Sequence, residues 1–231
     1  MIDLYVYPSL YGLPSNNPFD LKVDTYFRLA KIDYKLHNTL DAQSAPRKQL
    51  PYIEHEQQII GDSINIISYI DAKYGIGFDK HLTEKDRALS YALTSMLDNH
   101  LYFVISYSRW QDQKYFPQFR DEFIKNFPSF TKQDFAKISK MNSKKYHHQG
   151  IGRYTSTEVY RSGISDIKTI SQLIAEKDYL FSSEITIADI SSYAYLANIF
   201  YFDIDTPLKN YILSDNTLVA YLDRIRSVLG Y

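Results

Sequence analysis

Leu50-Pro51-Tyr52-Ile53-Glu54-His55-Glu56-Gln57-Gln58-Ile59-Ile60-Gly61-Asp62-Ser63 reads as strand, turn, strand and the start of a helix. A Leu-Pro step enters a short apolar strand, a polar Glu/His/Gln turn reverses it, and Ile59-Ile60 return. Beyond Gly61, the residues Ile64, Ile66, Ile67, Ile70 and Tyr74 repeat with helical spacing, and Asp62 or Ser63 can cap the free amides of that helix. A helix start offers unpaired N–H groups and a partial positive charge to a carboxylate, while Asp62 can meet an ammonium. A ligand can therefore sit where Pro51 and the helix start meet. The plainer alternative is that Pro51 only shapes a turn and Asp62-Ser63 only cap a helix.

Working towards the N-terminus, Ile2, Leu4 and Val6 alternate with Asp3, Tyr5 and Tyr7, the period of a half-buried strand. Residues 8–17 are rich in turn formers and predict a loop, and Pro18 suits the first position of a helix. Phe19, Val23, Tyr26, Phe27 and Ala30 share one face of that helix, and residues 32–40 alternate again as a second strand. With an irregular segment around Pro46, the order becomes β-α-β, then β-β-α, which is thioredoxin-like and ends near Tyr74. Gly75-Ile76-Gly77-Phe78-Asp79 predicts a linker.

Everything further on reads as helical. Thr83-Glu84-Lys85-Asp86 opens a helix that continues to about Trp110. Others are expected at 118–126, at 132–146 and from Thr155 through about Glu176. Ile185-Thr186-Ile187-Ala188-Asp189-Ile190 combines a reciprocal Thr-x-x-Asp cap with an Ile185–Ile190 staple, a folding signal with no chemistry attached. The expected organisation is an α/β thioredoxin-like domain over residues 1–74, a linker over 75–83 and an all-α domain over 84–231.

Composition narrows the chemistry. With 45% apolar and 23% charged residues the 231-residue chain is an ordinary folding sequence, and a net charge of −1 gives no electrostatic footprint for nucleic acid. No apolar run approaches the roughly 20 residues that span a bilayer, and Met1-Ile2-Asp3-Leu4 does not open a signal peptide; a cytoplasmic protein is expected. The absence of cysteine removes any protein thiol nucleophile, disulfide or zinc-thiolate site, so the sulfur of any thiol chemistry must come from the ligand. The six histidines lack partners at ligand spacing, and His147-His148 point about 100° apart on a helix, so no metal site is expected.

The pattern Leu50-Pro51-x-Ile53…Asp62-Ser63-x-x-Ile66 resembles the glutathione-binding half of the glutathione transferase superfamily, and the Thr186–Asp189 box resembles one in its all-helical domain. More narrowly, Pro18-Phe19-Asp20-Leu21-Lys22-Val23-Asp24-Thr25-Tyr26, Gly150-Ile151-Gly152-Arg153 and the segment from Leu208-Lys209 to Leu218-Val219-Ala220-Tyr221-Leu222-Asp223-Arg224-Ile225 are similar to the failed-axon-connections and metaxin branch. That branch usually reads Ser-Pro-Phe-Cys-x-Lys-x-Glu-Thr-Tyr at the first helix. The resemblance implies the glutathione transferase fold, with glutathione as ligand or co-substrate held by Leu50, Pro51, Asp62 and Ser63. It also makes a homodimer a candidate assembly.

The departures from that pattern bear on catalysis. Asn17 stands in the Ser/Cys place and Asp20 in the second cysteine place. Asn17 can offer its amide to a glutathione thiolate, or Asn17 and Asp20 can form a reciprocal helix cap; Ser15 and Tyr11 in the same loop are the other candidate donors. Tyr102, Tyr107, Arg109 and Trp110 lie where the superfamily places its acceptor pocket, and Arg153 either joins them or pairs with Asp98 or Glu158. Two function classes follow. One is a transferase that presents a glutathione thiolate to a small apolar electrophile. The other is a non-catalytic interaction module with a protein partner and a vestigial pocket.

Overall fold

Alternation puts Ile2, Leu4 and Val6 on the buried side of strand β1 (Ile2–Val6). Helix α1 (Pro18–Leu29) then crosses to strand β2 (Tyr34–Asn38), which runs parallel to β1, with Leu4 opposite Leu36. The hairpin of β3 (Tyr52–His55) and β4 (Gln58–Gly61) adds antiparallel strands on the other side of β1, giving the order β2-β1-β3-β4. Helix α2 (Ser63–Tyr74) returns over the sheet and stops at Gly75, whose left-handed conformation (φ 65°) lets its N–H reach Asp71 O. In this computed structural model, which describes residues 1–175 and 177–230, the sheet core is Ile2, Leu4, Val6 and Ile53 packed on Val23, Tyr26 and Phe27 of α1 and Ile66 and Ile70 of α2. The opposite face carries an aromatic row: Tyr5 stacks on His37 (4.6 Å) and on Tyr52 (4.3 Å).

The second half is helical: α3 (Glu84–Met96), α4 (Tyr102–Trp110), α5 (Phe116–Asn126), α6 (Lys132–Gln149), α7 (Ser156–Ile174), α8 (Ile187–Phe200), α9 (Pro207–Ser214) and α10 (Asn216–Leu229). The helix expected from residue 84 to Trp110 is continuous, but a π turn at Leu97–Leu101 interrupts its hydrogen-bond pattern. The helix expected to run through about Glu176 ends at Ile174, and Glu176 itself lies outside the described residues. This architecture, a four-stranded mixed sheet with helices followed by a helical bundle, is the glutathione transferase fold expected from the sequence.

Helix α8 joins the two halves. The box at its start is formed as read: Asp189 Oδ2 accepts from Thr186 N–H at 2.9 Å, and Thr186 Oγ accepts from Asp189 N–H. Asp189 Oδ1 also accepts from Leu180 N–H and the Tyr221 hydroxyl, each at 2.9 Å, so a fully buried carboxylate ties three segments together. The next residue, Ile190, enters the core of the sheet domain. A second joint is ionic. Lys22 on α1 is buried and gives its ammonium to both oxygens of Asp98 in the π turn (2.6 and 2.8 Å), and the Tyr195 hydroxyl of α8 donates to the same carboxylate.

Candidate functional site

The hairpin of β3 and β4 brings Pro51 back to the start of α2, where Asp62 N–H donates to Pro51 O at 3.1 Å. The Leu50–Pro51 bond is cis. Asp62 caps α2 by accepting from Ile64 N–H at 3.0 Å and does so at φ 83°, a region that non-glycine residues rarely enter. Strain of that kind concentrates at functional positions. Leu50 and Ser63 are buried beside it. Among the described residues, neither the N–H nor the C=O of Leu50 has a backbone partner, and the Ser63 hydroxyl has no hydrogen bond. The corner therefore offers a backbone donor and acceptor at Leu50, a hydroxyl at Ser63, a carboxylate at Asp62 and the first free amides of α2.

Facing this corner is the loop from the end of β1 to α1. Asn17 is an N-cap, and its side-chain oxygen accepts from Phe19 N–H at 3.0 Å. The reciprocal cap with Asp20 does not form. Asp20 turns inward instead and accepts on Oδ2 from Tyr7 N–H (2.7 Å) and from the Ser15 hydroxyl (2.8 Å), while its Oδ1 is buried with no partner among the described residues. The side chain goes inward because the amide left open at the end of β1 lies behind the helix. Full burial pushes the Asp20 carboxyl up to about 7, against the two hydrogen bonds that favour its charged form. Ser15 Oγ also accepts from Asn17 N–H at 3.1 Å, so Ser15 is committed on both sides. Tyr11 packs its ring on Phe202 at 4.1 Å, and its buried hydroxyl has no partner.

The expected acceptor-pocket residues are not gathered in one place. Tyr102 is beside α1, its ring 4.9 Å from that of Phe19. Tyr107 turns to α7, its hydroxyl 3.1 Å from Ser156 Oγ. Trp110 is packed in the helical core, stacked on Phe135 and edge-on to Phe119. Arg109 is buried and gives its guanidinium to Asn16 O (2.6 Å) and Asn198 O (2.7 Å) over the face of Phe202. It makes no ion pair among the described residues, and burial lowers its pKa to about 10. Its effect is to hold Asn16, and so to set the place of Asn17. Arg153 is exposed on a short 3-10 turn. It pairs with neither of its expected partners, because Asp98 is engaged by Lys22 and Glu158 closes the Thr155 capping box. Among the described residues no three His, Asp or Glu side chains converge as metal ligands, and no helix is long and apolar enough to cross a membrane.

One residue was missed by sequence reasoning. Tyr7 follows the last residue of β1, is half-buried beside Asp20, and its hydroxyl makes no hydrogen bond to the described residues. Burial, reinforced by Asp20 and Tyr102, pushes its phenol above the ordinary value, so it stays a hydrogen-bond donor. The only signal was position: an aromatic hydroxyl where the strand hands over to the loop.

Comparison with known proteins adds to this geometry. The model of the glutathione S-transferase N-terminal domain matches residues 18–115, and that of the glutathione S-transferase C-terminal domain matches 163–225. Failed axon connections of Drosophila melanogaster is 29% identical over 98% of this chain, which spans 57% of that protein's length. The isoprene-epoxide–glutathione S-transferase of Rhodococcus sp. (strain AD45) is 28% identical, over 98% of each chain. Among solved structures, the β-etherase LigF of Sphingobium sp. strain SYK-6 shares the fold, with a TM-score of 0.68, 16% identity, and coverage of 98% of this chain and 95% of its own.

Proposed function

Because the chain belongs to the glutathione S-transferase family, we propose that it binds glutathione in the corner between Leu50, Pro51 and the start of α2, and presents the thiolate to a small electrophile. The observation that carries this reading is the set of groups in that corner with no partner among the described residues: the backbone of Leu50, the Ser63 hydroxyl and the amides of Ser63 and Asn65 at the start of α2, that of Ile64 being taken by Asp62. A γ-glutamyl peptide uses each of them. Its carboxylate suits the helix start and Ser63, its ammonium suits Asp62, and its peptide backbone suits the open N–H and C=O of Leu50. The sulfur then faces the start of α1, where the helix field and the Tyr7 hydroxyl favour the thiolate. The electrophile class is taken from the isoprene-epoxide relative. The thiolate attacks an epoxide carbon, the carbon–sulfur bond forms as the carbon–oxygen bond breaks, and the alkoxide oxygen takes a proton from solvent water.

Titration calorimetry with reduced glutathione tests this directly. Ser63→Ala is expected to weaken binding by about 1 kcal/mol or more, roughly fivefold, through one hydrogen bond to a charged group. Wild-type affinity in that variant sinks the site assignment.

A second reading, a binding module without turnover, is favoured by the loop. The Ser15 hydroxyl is committed to Asp20 and Tyr11 is packed away on Phe202, which leaves of the expected donors the side-chain N–H of Asn17, a weak one. Glutathione binding with no thioether formed from an epoxide, and no effect of Tyr7→Phe on the bound thiol, supports this reading over the first.

A further inference from the structure

Asp20 is the least explained group in the molecule. It is a fully buried carboxyl in the first turn of α1, with two donors on Oδ2 and none on Oδ1. A buried charge of this kind is normally matched by a cation. The charged and titratable groups on the surrounding elements are Tyr7 at the end of β1, Lys22 two residues on along α1, Tyr102 and Arg109 on α4, and Tyr195 on α8. Lys22 and Tyr195 are taken by Asp98, and Arg109 by Asn16 and Asn198. None of the described cations forms an ion pair with Asp20. One hydrogen-bonded chain connects it to the proposed sulfur position: Asn17 N–H donates to Ser15 Oγ, and Ser15 O–H donates to Asp20.

We propose that Asp20 is the proton-holding residue of the site, charged when the site is empty and neutral when a glutathione thiolate is bound. This rests on the glutathione reading above. On binding, the S–H bond breaks, its electron pair stays on sulfur, and one proton is gained at Asp20. A single negative charge thus changes place, and two never accumulate in a space that holds no matching cation. Asp20 acts through the loop without touching the ligand, so it is a positioning residue. The shift of its carboxyl up to about 7 makes the exchange nearly balanced around neutral pH.

The test counts protons. Calorimetry of reduced glutathione binding at pH 8, in two buffers of different ionisation enthalpy, gives the number released per ligand, and S-methylglutathione, which has no thiol proton, is the control. For the wild type the release is expected to be close to zero, because the proton lost by sulfur is regained at Asp20. In Asp20→Asn it rises towards one, and the gap narrows at pH 6, where Asp20 already holds its proton. Asp20→Ser, a second replacement that does not titrate, is expected to show the same rise and covers the case in which Asp20→Asn does not fold. Equal release by the wild type and the variants at pH 8 overturns the proton-holding role and leaves the glutathione site standing. Failure of both glutathione and S-methylglutathione to bind overturns the site itself.

Discussion

Burial makes Asp20 a stability switch as well as a local charge. Its carboxyl sits at about 7 in the folded chain, against about 4 for an exposed aspartate, so the folded state holds a proton that the unfolded state has lost across that interval. Stability from this group is present below pH 4 and falls as the pH rises to about 7, with a slope of up to about 1.4 kcal/mol per pH unit. Urea midpoints of the wild type and Asp20→Asn, measured from pH 4 to pH 8, are expected to diverge in favour of the variant as the pH rises. Parallel profiles rule this out. Sequence reasoning identified Asp20 by its departure from the expected cysteine and offered it a reciprocal cap with Asn17 as one of two readings. A side chain at that position can serve the helix start or the strand behind it, and only packing decides. Tyr7 and the grip of Arg109 on Asn16 were hidden for the same reason, since both depend on contacts across the chain that no spacing reports.

Elements were legible where local chemistry dominates. Alternation marked β1 and β2, the Leu-Pro step and the polar turn marked the β3–β4 hairpin, and the Thr186–Asp189 box marked α8. The π turn at Leu97–Leu101 was not legible, because apolar spacing carries on through it and the pairing of its Asp98 with Lys22 joins residues far apart in the chain. Helix packing supplies a test at this scale. Gly163 on α7 packs against both α4 and α9: a methyl group there meets Val104 Cγ1 at 2.7 Å and Leu208 Cδ2 at 3.0 Å. Gly163→Ala gains up to about 1 kcal/mol of helix propensity and loses about 1–3 kcal/mol to overpacking. A net loss in thermal denaturation is expected, and Gly163→Ala is expected to cost less when made in a Val104→Ala background than in the wild type. A stabilised single variant contradicts the close packing.

At the scale of the molecule, the sheet domain and the helical domain are joined by the buried Lys22–Asp98 ion pair. Lys22→Met or Asp98→Leu leaves the other charge buried alone and is expected to cost about 3–5 kcal/mol, while the double variant recovers much of it. Chemical denaturation of the three variants decides this, and simple addition of the two single losses counts against a coupled pair. The resemblance to the glutathione transferase superfamily made this fold legible from a few motifs. It said nothing of the partner of Asp98, which sequence reading offered with Glu158 as an alternative partner for Arg153 and which Lys22 takes instead, because pairing between distant charges is set by which helices meet.

The packing of Trp110 has a spectroscopic consequence. It is the one tryptophan in the chain and stands 5.1 Å from Phe135 inside the helical domain, whereas the sheet domain holds only tyrosine, phenylalanine and histidine rings. Indole fluorescence therefore follows the unfolding of the helical half alone, and far-ultraviolet circular dichroism follows both. Superimposed melting curves from the two signals are expected for the wild type, and their separation in Lys22→Met would show the halves coming apart one after the other.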